Sequence, residues 1–487
     1  MDIAEACALV DERMAVARGE YNVPTIAYGL TLGGALVHSG AVAAEGHAAP
    51  TASSAFRIAS MTKSVTAATV LALRDAGFLA LDDPVSRWLP WADGHLGPPS
   101  GARRGAQEVT LRHLLTMTAG FPTDDPWGDR QESLPLADFD ALVSEGLSAC
   151  RPPGLEFEYS NLGYALLGRV IAQATGEDYR TVVRTTLLEP LGMTATTYDV
   201  DAVTVEGAAT SRQTGYHPLA DGLVPEPDTS AGAFSPMGGL WSTVEDLATW
   251  IGFLEAAWAD DPREEPLSRW SRREMQRPHV LARIDPPSES SPAVAQSYGM
   301  GLYVADDVRL GRFVHHSGGY PGFGSHMRWH PDTRWGIVAL ANRTYAPMGK
   351  ACPPILEEIV AGDAEQARRT RAFDRLWPRT REAMDVAESL LAEWRDDVVD
   401  AWGAMNLDLD QPRAQRRAAW ARAGERGPFT RDAASIEALS PAHVRWRMSG
   451  EGGDVTLEIL LTPEPVPRLQ TLSASVQDTT PSQSEAE

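Results

Sequence analysis

Of the 43 basic residues in this chain only Lys63 and Lys350 are lysine; the rest are arginine. A guanidinium cannot give up its proton near neutral pH, whereas an amine can once burial and neighbours lower its pKa. A lysine kept where arginine has replaced it elsewhere is therefore a candidate for proton transfer. Lys350 follows Pro347-Met348-Gly349 and reads as a solvated charge in a loop. Lys63 sits in Ser60-Met61-Thr62-Lys63, at the head of an apolar run through Val65, Ala67, Ala68, Leu71 and Leu73 that predicts one helix starting near Ser60. At i and i+3 the two side chains share a helix face, and the serine lies where backbone N–H groups lack intrahelical partners. Those are the parts of an activated nucleophile beside an oxyanion hole. The competing reading is an N-cap serine followed by a solvated lysine.

Two further segments decide between these readings. Pro153-Gly154 opens a turn that leads to Tyr159-Ser160-Asn161 and an apolar helix, and this is the sequence's one Tyr-x-Asn. His315-His316-Ser317-Gly318-Gly319-Tyr320 reads as a strand whose small residues let a substrate approach the backbone, with a second strand after the glycine turn at Gly322. Ser60-x-x-Lys63, Tyr159-x-Asn161 and His316-Ser317-Gly318, in this order, resemble the serine β-lactamase and DD-peptidase superfamily, closest to class C β-lactamases, family VIII carboxylesterases and D-aminopeptidases. Leu81 to Val85, Leu111 to Gly120 and Gly238 to Leu247 look like that family's connecting motifs, and the likeness covers about residues 20 to 362. His38-Ser39-Gly40 repeats the third motif's letters but precedes the nucleophile, and reads as the second strand of a hairpin turned at Gly33-Gly34.

The resemblance implies an α+β fold: an antiparallel sheet flanked by helices, with a helical subdomain. It also implies that Ser60 attacks a carbonyl, with Lys63 or Tyr159, each at depressed pKa, taking the proton. Tyr159 would protonate the leaving group and Asn161 would orient Lys63 and the substrate. The backbone N–H groups of Ser60 and Gly319 would form the oxyanion hole, and His316, Ser317 and Gly318 would line the substrate strand. Neither metal nor organic cofactor is called for, and the histidines at 315, 316, 326 and 330 come without carboxylate or thiolate ligands at metal-site spacing. β-Lactamases usually carry Lys-Thr-Gly where this chain has His316-Ser317-Gly318. A mostly neutral imidazole replaces a permanent cation that holds substrate carboxylates, which favours small neutral esters or amides. A carboxylesterase is thus expected ahead of a D-aminopeptidase, DD-peptidase, weak β-lactamase, acyltransferase or idle scaffold.

The composition sets the frame for that chemistry. At 487 residues, 43% hydrophobic and 22% charged, the chain can bury a large core. A net charge of −23 disfavours nucleic acid and acidic membranes as partners. The acidic N-terminus lacks the pattern of a secretory leader and no apolar run suits a membrane span, so the expected location is the cytoplasm. Cys7, Cys150 and Cys352 are few, scattered and expected to be reduced core residues. The expected organisation is a serine hydrolase domain over 1–362, a linker over 363–378, a small α+β module over 379–474 and a disordered tail over 475–487. In the module, Met384 to Trp402 recurs at steps of three and four as one long helix, and Gln411 to Ala423 as a shorter one. Val444 to Met448 and Val455 to Leu461 alternate as a hairpin, with a further strand at Leu469 to Leu472. A long helix on a small antiparallel sheet looks like a cystatin or NTF2-like module, through which copies of the chain could associate.

Overall fold

The computed structural model describes residues 1–96, 108–199, 212–220, 222–258, 264–287, 293–364, 367, 370 and 373–476, and divides into two compact units, Met1–Gly362 and Asp363–Glu487. In the first, helices α1 (Ile3–Glu20), α2 (Thr62–Asp75), α3 (Asn161–Thr175), α4 (Val244–Glu255) and α5 (Met348–Val360) accompany strands β1 (Thr25–Leu32), β2 (Ala35–Ala43), β3 (Val280–Asp285), β4 (Val294–Tyr298), β5 (Tyr303–Asp307), β6 (Gly311–Tyr320), β7 (Phe323–His330) and β8 (Trp335–Ala341). The eight strands form one antiparallel sheet in the order β2-β1-β8-β7-β6-β5-β4-β3.

β1 and β8 are largely apolar along their length because both faces are covered. In β8, Trp335, Ile337, Ala339 and Ala341 face a core built with α1 and α5, while Val338 and Leu340 face the larger core that contains α2, α3 and α4. β1 alternates likewise, with Ile26, Tyr28 and Leu30 on the first side and Ala27 on the second. His38-Ser39-Gly40 lies in β2, paired across the hairpin with β1. The larger core also takes in the short helices around Leu114 and Phe139, the helical part of the unit. Among the described residues no helix is long and apolar enough to cross a membrane.

A buried ion pair ties the approach to Ser60 to the end of β6. The Arg57 guanidinium donates to the Glu132 carboxylate, which also accepts from the Tyr320 hydroxyl, from Thr229 Oγ1 at 3.1 Å and from Ser235 Oγ at 3.2 Å. Arg57 and Glu132 are 2% and 1% exposed, so neither is solvated if the other is removed. Glu132→Ala is therefore expected to cost about 3–5 kcal/mol. Glu132→Gln, which keeps one acceptor oxygen at the position shared by the Thr229 and Tyr320 hydroxyls, should cost less. Urea unfolding of the three proteins checks the order.

The second unit holds α6 (Pro378–Ala392), α7 (Asp396–Trp402) and α8 (Arg413–Gly424) against a four-stranded antiparallel meander, β9 (Phe429–Ser440), β10 (His443–Gly450), β11 (Val455–Leu461) and β12 (Leu469–Val476). The expected long helix is two: after Ala392 the backbone is extended at Glu393 and Arg395, and a new helix starts with Asp396 and Asp397 in its first turn. Trp394 and Trp402 still pack on the same core, which is why the spacing reads through the break. β9 was not expected, because its polar and apolar residues do not alternate regularly and its pairing with β10 is interrupted twice. Lys350 is exposed as expected but lies in the first turn of α5, not in a loop. Of the cysteines only Cys352 is buried; Cys150 is exposed and Cys7 intermediate, so the expectation of three core residues fails. Parts of the expected linker and all of 477–487 lie outside the described residues.

Candidate active site

Ser60 is presented by a sharp elbow. The chain leaves the strand pair of Phe56-Arg57, passes through Ala59 at φ +51°, and enters a 3₁₀ turn over Ala59–Met61 that continues into α2. A left-handed alanine costs about 1–2 kcal/mol. Such local strain persists only where the surroundings fix it. Here they do: Ile58 and Ala59 are buried, and Gly318 of β6 packs so closely that an added Cβ would lie 2.3 Å from Ile58 O and 3.0 Å from Ala59 Cβ. Gly301, at φ +72°, makes the other close approach, its added Cβ falling 2.5 Å from Lys63 O.

Lys63 has no exposed surface and three partners: Nζ lies 3.0 Å from Ser60 Oγ, 2.6 Å from Asn161 Oδ1 and 2.9 Å from Met237 O. An amide oxygen and a peptide oxygen can only accept. A neutral amine satisfies both with its two N–H groups and turns its lone pair to the Ser60 hydroxyl. Burial pushes the Lys63 pKa down to about 8, and the nearby carboxylates of Asp125, Asp129 and Asp124 keep it from falling further. The Tyr159 ring lies 4.9 Å from Nζ and the Tyr164 ring 5.7 Å.

Tyr159 corrects the sequence-based expectation of a depressed pKa. Its hydroxyl shares a hydrogen bond with Ser60, but burial and the charge of Asp125 push its pKa well above the usual phenol value. It is a proton donor at neutral pH, not a phenolate. The sequence places the tyrosine but shows neither its burial nor the acid beside it, and these set the sign.

Asn161 is the first residue of α3. Its side-chain Nδ2 donates to Asp125 Oδ1 at 2.9 Å, which turns Oδ1 to Lys63. Asp124 accepts the backbone N–H of Asn161 at 2.7 Å and of Leu162 at 2.9 Å, so an acid completes the helix N-terminus. Asp129 is buried and accepts from the Tyr345 hydroxyl at 2.9 Å. Burial and Asp125 hold its carboxyl well above the ordinary range, while the Tyr345 bond and Lys63 oppose them. Sequence reasoning missed all three acids, since Asp124-Asp125-Pro126-Trp127-Gly128-Asp129 reads as a solvated turn.

β6 supplies the remaining wall. His316 is buried, 6.5 Å from the Tyr159 ring between centroids, and its Nδ1 lies 2.7 Å from Ser317 O. A carbonyl only accepts, so Nδ1 carries the proton and Nε2 is left to accept from the Tyr298 hydroxyl at 3.4 Å. Burial and Lys63 push the His316 pKa down to about 3, which makes the imidazole neutral. Ser317 does not join the Ser60 cluster by any described hydrogen bond; its hydroxyl pairs with His326 Nδ1 at 2.8 Å. Gly319 packs under Tyr345, whose ring would lie 2.8 Å from an added Cβ. Ser60, Lys63, Tyr159, Asn161 and His316 therefore form one cluster, with Gly318 against the elbow. Among the described residues no three His, Cys, Asp or Glu side chains are grouped to hold a metal ion.

The sequence matches the Beta-lactamase family over residues 8–361. Among curated proteins it is 29% identical over 319 residues to Penicillin-binding protein 4* of Bacillus subtilis (strain 168), an alignment covering 60% of this chain and 61% of that protein. It is 30% identical over 298 residues to Protein flp of Staphylococcus aureus (strain COL), covering 59% of this chain and 52% of flp. The chain thus spans between about half and three fifths of the length of these relatives. Among solved structures, the octameric penicillin-binding protein homologue from Pyrococcus abyssi is similar in fold, with a TM-score of 0.62 at 20% identity over 97% of this chain and 94% of that one.

Proposed function

Because this chain belongs to the β-lactamase family, we propose that it is a serine hydrolase that opens an ester or amide of a small molecule through an acyl-Ser60 intermediate, with esters as its main substrates. The observation that carries the reading is the 3.0 Å approach of Lys63 Nζ to Ser60 Oγ while its two other partners are acceptors only. Ser60 Oγ attacks the carbonyl carbon as Lys63 takes the hydroxyl proton. The oxyanion forms against the N–H groups of Ser60 and Gly319. Tyr159 protonates the departing alcohol or amine and regains a proton through Lys63. A water then repeats the sequence on the acyl-enzyme, releasing the acid and freeing Ser60.

Charge supports neutral substrates. The third-motif histidine is neutral, and Asp124, Asp125 and Asp129 all act on Lys63, so a substrate carboxylate gains no fixed cation there and meets three acids. The same acids favour a second reading, hydrolysis of amides whose acyl part carries a free ammonium, as in amino-acid amides. The test is a side-by-side assay of a short-chain p-nitrophenyl ester, a D-amino-acid p-nitroanilide and a chromogenic cephalosporin. A missing charge-assisted bond is worth roughly 1.5–3 kcal/mol. The ester is therefore expected to exceed the anionic cephalosporin in kcat/KM by about 10- to 100-fold. Preference for the cephalosporin would overturn the reading, and preference for the anilide would move it to the amide.

A further inference from the structure

The Asn161 amide has two nearly isosteric ends, and only one orientation lets Lys63 act as a base. With Nδ2 turned to Lys63 the neutral amine's lone pair would accept from it and be drawn off Ser60. The ammonium of Lys63, a donor only, favours the Oδ1 end, but the neutral amine, which is the form that acts as base, can pair with either end. The choice is made on the far side of the amide, where Asp125 Oδ1 accepts from Nδ2 at 2.9 Å. The turn carrying Asp125 is pressed onto Asn161: a Cβ added at Gly128 would lie 2.9 Å from Asn161 Cβ and 3.1 Å from Nδ2. Asp124 holds the same turn to the first N–H groups of α3.

We propose that Asp125 is a positioning residue of the hydrolytic site, which through Asn161 directs the lone pair of Lys63 at Ser60. It rests on the proposed serine mechanism and assigns Asp125 no contact with substrate. The groups facing Lys63 are Asp124, Asp125 and Asp129 from the segment before the second motif, Tyr159 and Tyr164, and His316 from β6. Of these, Asp125 alone also bonds the Asn161 amide.

With two lysines in the chain, protein labelled with ¹³C-lysine gives two Cε signals, and exposed Lys350 serves as the internal reference. Asp125→Ala removes both charge and acceptor. It is expected to move the Lys63 titration to lower pH and to lower kcat on a p-nitrophenyl ester about 10- to 30-fold, the loss of one hydrogen-bond partner, with KM little changed. Asp125→Asn keeps an acceptor oxygen. It is expected to move the Lys63 titration the same way yet to keep kcat within about threefold of the parent. An Asp125→Ala protein with unchanged Lys63 titration and rate overturns the proposal. So does a rate loss that Asn does not rescue, or one confined to KM, which would make Asp125 a substrate contact. If the parent turns over neither the ester nor the anilide, the serine reading fails on its own, while the Lys63 signal still reports whether Asp125 acts on the amine.

Discussion

Ser60→Ala is expected to lower ester turnover by about 10⁴- to 10⁶-fold, the scale seen when a serine hydrolase loses its nucleophile. Alanine keeps the Cβ and the elbow, so the loss isolates the hydroxyl. The deleted group makes one described hydrogen bond to Lys63 and one to Tyr159. The stability change should therefore stay within about 1–2 kcal/mol. Removing one acceptor from Lys63 also favours the neutral amine, which tolerates the smaller partner set. Intact-protein mass spectrometry after mixing with a slow ester supplies the complementary readout: an acyl adduct on the parent and none on the variant. An adduct that persists in Ser60→Ala would place the nucleophile elsewhere.

The three motifs were legible because each is local. Ser60 and Lys63 are one helical turn apart, Tyr159 and Asn161 two residues apart, and His316 to Gly319 one strand, so type and order suffice to pick them out. The hairpin of β1 and β2 and the strand pair of β6 and β7 were legible for the same reason, since each turns at local glycines, Gly33-Gly34 and Gly322. What escaped depends on contacts between distant segments. Asp125 gains its place only when its turn packs on Asn161, and Glu132 looks like any surface acid until Arg57 and Tyr320 close around it. The sign of the Tyr159 shift was missed because it follows from burial and from Asp125, neither visible in the motif. In the second unit, the break after Ala392 left the apolar spacing intact, so periodicity alone could not reveal it.

Lys63→Arg is expected to lower kcat/KM by about 10³- to 10⁴-fold, within the range for losing a general base, and to abolish its dependence on pH. Arginine fits the charge of the site but cannot accept the Ser60 proton at any working pH. In the parent the active form is the neutral amine. Burial lowers the pKa to about 8, so activity must rise with pH as the proton leaves and level off above that point. On a single titration, kcat/KM should increase about tenfold between pH 7 and pH 9. The other groups at the site do not blur this limb. His316, at about 3, is neutral across the range, and Tyr159, pushed above the usual phenol value, keeps its proton. Asp129 is the exception, since its raised carboxyl faces Lys63 and stabilises the ammonium once ionised. Its ionisation therefore opposes the release of the Lys63 proton and broadens the rise instead of reversing it. A profile falling from pH 7 to pH 9 would require a protonated Lys63 in the rate-limiting step and would exclude it as the base for acylation.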